Sequence, residues 1–526
     1  MRIAVAGGGP GGLFFATLVK RADPSIEVTV FERNRADDTF GFGVVFSDRT
    51  LAGIHEADPV LREALTEHGT HWDDIEVRLK GERIRCGGNG MAAVVRRTLL
   101  SLMQERASEV GAELRFATEV SLADLGDYDL VVAADGTGSR IRDELDADLG
   151  VEIDTATAKF IWFGTDYLFD GLTFVHERSP DGVFAVHGYP ISAEVSTFIV
   201  ETDEASWRRA GLDEFNVTRP PGESDLISKE YLEKLFAEQI DGGRLLTNNS
   251  RWGNFRTRRT KRWHTTTPRP VALLGDAVHT AHFSVGSGTK MAMEDAVALA
   301  AAVAAQPGDL GAALAAYEEA AQPSVRRIQD SARPSLAWWE HFGRYHEAFE
   351  PWQFAYHFLS RSISDGRLAR RAPDFVEASH RGWVEAHGAE PLETAFAHRG
   401  WSLPGRAVAV ESAGGVPTSA AGLPLGEPAE GSWGGVLAAP GTEAGLPEVF
   451  AELTTLALRG PVLVAVHGGT AHTRTLVAEQ ARLAEGLPTL VVDPALDRDT
   501  AVTAVLSGRT DLVGAPAEVL DAWGTS

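Results

Sequence analysis

Short apolar runs and stretches of helical periodicity alternate along the first part of the chain, the pattern of strands and helices following one another. Arg2 to Ala6 reads as a short buried strand, and an apolar helix is expected from Leu13 to about Arg21. Glu27 to Glu32, with Val28, Val30 and Phe31, predicts a second strand and completes a βαβ unit. A helix is expected from about Val94 to Val110, then strands at Leu114 to Phe116 and Leu130 to Ala134. From about Phe160 to Val200 the texture changes: Trp162, Phe163, Phe174, Phe184 and Phe198 sit in β-rich segments divided by turn residues, as in an antiparallel sheet. A strand at Pro270 to Gly275 leads to a long Ala-rich helix from about Thr289 to Ala305, and a helical stretch rich in Trp and His continues to about Ala386.

Residues 387–430 are rich in Gly, Pro, Ala and Ser and read as a linker. Beyond them Gly435–Ala439, Val462–His467, Pro488–Asp493 and Asp511–Val513 look like strands alternating with helices, which predicts a small parallel α/β unit of about four strands. Such a sheet cannot close, and its two edges need covering. With 526 residues, two or three domains are expected. The formal net charge of -25 argues against non-specific nucleic-acid binding and for a cytoplasmic protein. The one cysteine, Cys86, allows no intrachain disulfide. Met1 to Val19 is apolar, but its glycine run breaks the core that a secretory signal needs, and no stretch approaches a membrane span.

Gly7-x-Gly9-x-x-Gly12 lies between a predicted strand and helix. Gly7 permits the tight turn, Gly9 lets the backbone approach a pyrophosphate, and Gly12 lets strand and helix pack. Glu32 follows Gly12 by 20 residues, at the end of the second strand, where it can accept from a ribose. Candidate dinucleotide contacts are therefore Gly7, Gly9, Pro10, Gly12, Glu32 and its neighbour Arg33. A ligand-free glycine turn is the alternative.

Two further motifs narrow the choice: Asp135-Gly136-x-x-Ser139-x-x-Arg142, and Gly275-Asp276-Ala277-x-His279 followed by Gly286-x-Gly288. With the first, they resemble the FAD-dependent aromatic hydroxylases of the para-hydroxybenzoate hydroxylase type, over roughly residues 1–380. The resemblance implies a Rossmann-like, glutathione-reductase-type FAD domain (1–160 and 255–390, with a helical extension) and an antiparallel-sheet substrate domain (161–254). It implies that Asp276 binds the flavin ribityl chain, that Asp135 and Arg96 contact FAD, and that Gly286, Gly288, Thr289 and Lys290 lie along the flavin. It further implies NADH or NADPH as reductant, O2 as co-substrate, and oxygen transfer through a flavin C4a-hydroperoxide. The family usually has Pro-Pro where this chain has His282-Phe283, and Asn where it has Lys290.

The runs Asp37-Asp38-Thr39-Phe40-Gly41-Phe42-Gly43-Val44-Val45-Phe46-Ser47 and His279-Thr280-Ala281-His282-Phe283-Ser284-Val285-Gly286-Ser287-Gly288-Thr289-Lys290 are similar to those of salicylyl-CoA 5-hydroxylases and 2-aminobenzoyl-CoA monooxygenases. That narrower resemblance implies an aromatic acid held as a coenzyme A thioester. His398-Arg399-Gly400-Trp401-Ser402-Leu403-Pro404-Gly405-Arg406 and Gly508-Arg509-Thr510-Asp511-Leu512-Val513 resemble the opening and closing segments of old-yellow-enzyme-like barrels, so 391–526 is expected to be a shortened remnant of one.

Arg251 to Arg262 holds six cations and no acid. Arg256, Arg258, Arg259 and Lys261 are candidates for coenzyme A phosphates, or for those of NAD(P)H; a solvated strand face paired with nearby acids is the equal alternative. His187 and Tyr189 alternate along a predicted strand and could hold or polarise a phenol or aniline, although core packing is the commoner fate of such residues. Together with His282 and Phe283 they are the candidate catalytic residues. No metal-ligand spacing is found. The expected activity is aromatic-ring hydroxylation of an acyl-CoA thioester. Hydroxylation or epoxidation of a free or carrier-tethered aromatic stays open, as do a bifunctional hydroxylase-reductase and a homodimer.

Overall fold

The structure is a computed structural model. It describes all residues except Phe40, 216–221, Ser284, Val285, Ser287, 427–430 and 524–526, together with the side chain of Asp146. Phe40, Ser284, Val285 and Ser287 of the two motif runs, and the end of the expected linker, thus lie outside the described residues. Contacts divide the chain into two compact units, Met1–Arg83 with Asn89–Gly343, and Ile84–Gly88 with Arg344–Ser526. Residues 344–390, expected to extend the FAD domain, group with the C-terminal unit. Among the described residues no helix is long and apolar enough to cross a membrane.

In the first unit Arg2–Ala6 pairs in parallel with Glu27–Phe31 on one side and Leu130–Ala133 on the other. Glu113–Arg115 and Val271–Leu273 extend the sheet, and His264–Thr265 closes one edge antiparallel. Four of the five residues of Arg2–Ala6 are buried, as a parallel strand covered on both faces requires. Helix Pro10–Ala22 supplies Leu13, Phe14, Phe15, Ala16 and Val19 to this core and packs on helix Gly288–Ala305.

The second sheet carries the aromatic residues. Val151–Thr165, Ser196–Thr202, Gly182–Pro190 and Leu172–Ser179 follow one another antiparallel, and Ile75–Leu79 adds parallel to the last. Gly253–Thr260 pairs with the first half of Val151–Thr165. The two-residue strand period sorts the side chains. Phe163, Phe184, Val186, Phe198 and Val200 form a core with helix Leu226–Leu235, while Trp162, Tyr189 and Ile199 pack on the opposite face. A third sheet joins Gly43–Ser47, Met91–Val95 and Thr70–Trp72.

In the second unit the expected sheet of about four strands is a seven-stranded one. Gly435–Ala438, Val464–His467, Thr489–Val492 and Leu512–Ala515 run parallel, with helices between them. Ala407–Ala413 adds parallel to Leu512–Ala515, and Val416–Ala420 and Leu423–Pro424 follow antiparallel. These last three strands fall in the stretch that composition marks as linker. Gly414 and Gly415, at φ +60° and +82°, make the two-residue hairpin turn that a Gly-Gly pair favours. The open edges also need correction: a bridge between Leu425 and Gly434 brings the end strand back to the start of Gly435–Ala438, so the sheet curls on itself. Val408, Val410, Leu463, Ala465, Leu490 and Leu512 share its core.

Candidate active site

The turn Gly7–Gly12 joins the central strand to helix Pro10–Ala22. Gly7 has φ +111°, and a Cβ there would lie 2.2 Å from the Ala134 carbonyl oxygen; one on Gly12 would lie 2.2 Å from the Gly7 oxygen. Pro10 opens the helix, where its missing N–H is no loss. Gly9 at the N-cap offers no side-chain cap and the first turn holds no acid, so its leading amides are open to an anion. Gly7 and Gly9 line a cavity of about 190 Å³ with Glu32, Arg33 and Asp135. The amide N–H of Gly8 donates to Glu32 Oε2 at 2.8 Å, and the two N–H groups of Asn34 donate to Oε1 at 2.8 and 2.7 Å. This fixes the carboxylate with lone pairs to spare. Asp135 Oδ2 accepts from the Arg140 amide at 2.9 Å, whereas Oδ1 is buried without a partner among the described residues.

A larger cavity, about 500 Å³, is lined by Arg96, His187, Tyr189, Asp276, Phe283 and Lys290, with Gly286, Gly288 and Thr289 along one edge. Asp276 follows the buried strand Val271–Leu273. Burial pushes its carboxyl above the usual range, against the pull of His279, Arg96 and Arg258, and among the described residues none donates a hydrogen bond to it. Arg96 opens helix Arg96–Glu109; burial lowers its guanidinium, and the charges of Asp276 and Tyr189 oppose that. Burial also raises the Tyr189 hydroxyl to about 12, and Tyr189 stacks on Trp72 at 6.2 Å. Lys290 pairs with Glu294 one helical turn on, at 2.8 Å.

Phe283 turns into this cavity amid Phe160, Trp162 and His187, with ring centroids 5.0 to 5.7 Å away. His282 turns the other way. It is not among the cavity's lining residues; its ring meets Phe255 at 4.9 Å, and its Nε2 lies 3.5 Å from the buried Glu201. Consecutive residues of the turn therefore have different surroundings, and of the two only Phe283 lines the cavity. His187 packs 4.3 Å from Trp339, and its Nε2 is 2.7 Å from Glu201. Glu201 was not signalled, although an acid inside the fully buried strand Ser196–Thr202 is the clue the sequence held.

The basic cluster does not converge on either cavity. Arg258 is buried, and its guanidinium donates to the carbonyls of Asp276 at 2.8 Å and Thr137 at 2.9 Å. Arg142 donates to the carbonyls of Thr137 and Ala277, both at 3.2 Å. These arginines tie the Asp135 and Asp276 loops together, so Arg258 is withdrawn from the phosphate site. Arg259 lies 3.6 Å from Asp330, Lys261 lies 2.7 Å from Glu152, and Arg256 is exposed on its strand. Pairing with nearby acids is thus the better account of Arg259 and Lys261. Asp295, also missed, accepts from the Gly275 amide at 2.9 Å and lies 2.7 Å from His279. Among the described residues no group of three or more His, Cys, Asp or Glu could hold a metal.

Residues 1–332 match the family model described as FAD binding domain. The chain belongs to the FAD-dependent aromatic-ring monooxygenases. It is 57% identical over 521 residues to a salicyloyl-CoA 5-hydroxylase from a Streptomyces species, covering 98% of this chain and 99% of that one. It is 38% identical over 338 residues to the 3-hydroxy-4-methyl-anthranilyl-[aryl-carrier protein] 5-monooxygenase of Streptosporangium sibiricum, 64% of this chain and 89% of that one. The tetrameric 2-methyl-3-hydroxypyridine-5-carboxylic acid oxygenase shares the fold at TM-score 0.51 and 19% identity, over 69% of this chain and 98% of that one. The residues of this monooxygenase fit FAD: the glycine cradle and uncapped helix suit a pyrophosphate, and the orphaned Asp135 Oδ1 and undonated Asp276 carboxylate suit hydroxyl donors.

Proposed function

We propose that this monooxygenase hydroxylates the ring of an aromatic acid presented as a coenzyme A thioester of the salicyloyl type, with NADH or NADPH as reductant. The observation that carries the reading is the 500 Å³ cavity, in which an aromatic wall meets the flavin-side motif residues Asp276, Gly286 and Lys290. The 57% identity to a salicyloyl-CoA 5-hydroxylase extends over nearly the whole chain and supports the thioester.

FAD, when bound, supplies reduction by NAD(P)H, activation of O2 and transfer of one oxygen atom to the ring. The protein supplies the setting. Gly7, Gly9 and helix Pro10–Ala22 would hold the pyrophosphate, with Glu32 and Arg33 near the adenosine and Asp135, Arg96 and Asp276 at the phosphate and ribityl groups. Helix Gly288–Ala305 begins at the larger cavity with no acid in its first turn, and a helix N-terminus favours negative charge on a bound group. Trp162, Phe174 and Phe283 exclude water from the ring-binding space, and His187 and Tyr189 are the polar groups available to a ring substituent. The test is purified enzyme with NAD(P)H and O2, offered salicyloyl-CoA, 2-aminobenzoyl-CoA, their free acids and the carrier-tethered acid, with product mass as readout. A thioester product heavier by one oxygen supports the reading; turnover of the free or carrier-tethered acid alone refutes it.

A further inference from the structure

On the cavity face of the antiparallel sheet, one carboxylate lies between two histidines. Ala185 pairs with Glu201 and His187 with Ile199, so Glu201 and His187 are diagonal neighbours on adjacent strands and project from the same face. Glu201 Oε1 lies 2.7 Å from His187 Nε2 and Oε2 lies 3.5 Å from His282 Nε2, and none of the three side chains is more than 4% exposed. Burial alone would raise the Glu201 carboxyl, but His282 and His187 outweigh it and hold the group below the usual range. Of the three, His187 is the one that lines the cavity. The other ionisable groups facing that space are Arg96, Tyr189, Asp276 and Lys290, the last paired with Glu294.

Charge balance decides what such a unit can do. An ionised Glu201 with one protonated histidine is neutral, which a buried site tolerates. A second proton would leave an uncompensated positive charge, which it tolerates only beside a new negative one. A ring hydroxyl supplies both together. Its O–H bond breaks, an N–H bond forms on His187, and the phenolate left in the cavity balances the imidazolium. No oxidant, reductant or further reactant is needed. A ring amino group has no comparably acidic proton, so it gains a hydrogen bond at most.

We propose that Glu201 is a specificity-determining positioning residue: it holds His187 as the base for a ring hydroxyl, so the site favours hydroxy- over amino-substituted aryl thioesters. The proposal rests on the monooxygenase reading above and adds the ring substituent to it.

The experiment compares wild type with Glu201→Gln, which keeps the size and a polar side chain but removes the charge. Salicyloyl-CoA and 2-aminobenzoyl-CoA are the two substrates, and FAD content checks integrity. For the hydroxy substrate kcat/KM is expected to fall about 100-fold at pH 7, the scale of a general base, and to recover as pH rises. For the amino substrate a change of about threefold or less is expected, the two differing because only one needs the base. The second readout is the phenolate absorbance of the bound hydroxy compound. In wild type its midpoint should lie at least about one pH unit below that of the free compound, and in the variant it should move back up. Equal losses on both substrates, or a wild-type midpoint no lower than that of the free compound, overturn the proposal; the wild-type titration decides even if the variant does not fold. Failure of wild type to oxidise any thioester refutes the substrate reading instead, and the same titration with a free ortho-hydroxy acid still decides the role of Glu201.

Discussion

Removing the Asp276 carboxylate should push stability and flavin affinity in opposite directions. Burial raises this carboxyl and no described residue donates to it. A group whose folded pKa lies above its unfolded value, here 3.8, contributes stability that is present below the unfolded value and lost as pH rises through the folded one. At pH 7, above that unfolded value, the buried carboxyl therefore costs the flavin-free protein stability, and neutral Asn removes that cost. In the holoprotein the same carboxylate is expected to accept a charge-assisted bond from a ribityl hydroxyl, worth about 1.5–3 kcal/mol. Asp276→Ala forfeits all of it, about 10- to 150-fold in the FAD dissociation constant. Asp276→Asn keeps a carbonyl acceptor and loses the charge assistance, roughly half the bond, or about 3- to 12-fold. Flavin-fluorescence titration of apoprotein gives the affinities and thermal melting of the apo forms gives the stabilities. The expected order of FAD affinity is wild type, Asn, Ala, with both apo variants melting no lower than wild type at pH 7. Unchanged affinity together with a lowered apo melting temperature would refute the assignment and make Asp276 a structural carboxylate.

Arg258→Ala leaves the buried carbonyl of Asp276 without its donor and halves the donors to that of Thr137, which is expected to cost about 2–4 kcal/mol and to weaken FAD binding. The ratio of KM for a thioester to KM for its free acid should stay unchanged, and a selective rise for the thioester would return Arg258 to a phosphate site. In the second unit Glu479 is buried among His357, Arg344, Tyr345 and Arg509. Glu479→Gln strands a buried cation at about 3–5 kcal/mol, so proteolysis within 344–526 should accelerate. The same cluster sets a pH dependence. Burial, then Arg509, lowers His357 to about 4 from 6.5, so the unfolded chain takes up the proton first and stability is lost as pH falls from 6.5 toward 4. Glu479, held at about 2, adds a loss of the same sign below 4.5. Proteolysis of this unit should quicken between pH 7 and 5 and His357→Gln should flatten the trend; a flat wild-type profile contradicts the account.

The sequence made the nucleotide end of the molecule legible because its constraints are local. Gly7, Gly12 and Glu32 are set by one turn and one strand end, so their spacing is enough to predict that turn and the cavity beside it. The substrate end depends on non-local pairing. That His187 and Tyr189 share a face follows from alternation, but that Glu201 joins them follows from the register of Gly182–Pro190 against Ser196–Thr202, which no short window contains. Arg258 misled because charge is visible in a sequence and burial is not: within Gly253–Thr260, Arg256 is exposed and Arg258 is sealed in. The C-terminal hairpins were missed because glycine-rich composition suits both a linker and tight turns, and what separates them is the alternating strand from Ala407 that pairs with Leu512–Ala515.

Strand Gly253–Thr260 links these two ends. Along one edge it pairs with Val151–Thr155 of the aromatic sheet. Along the other it is stitched to the Asp276 loop: the Arg258 amide donates to Thr280 Oγ1 at 2.7 Å, the Thr280 amide to the Arg258 carbonyl at 3.3 Å, and Thr260 Oγ1 to the Val278 carbonyl. Gln329 closes the seam by donating to the carbonyls of Arg258 and Thr280 at 2.7 and 2.9 Å. The loop that carries Asp276, His282 and Phe283 is thereby indexed to the sheet that carries His187 and Glu201. Oxygen transfer between a bound cofactor and a ring tolerates little misplacement, since an error of about 1 Å can cost about 100-fold in rate. A basic strand in which Arg258 is spent on backbone carbonyls is therefore better placed to set the distance between cofactor and substrate than to bind the substrate's phosphates, and its exposed neighbour Arg256 joins the seam through its backbone carbonyl, which accepts from Thr280 Oγ1 at 2.6 Å.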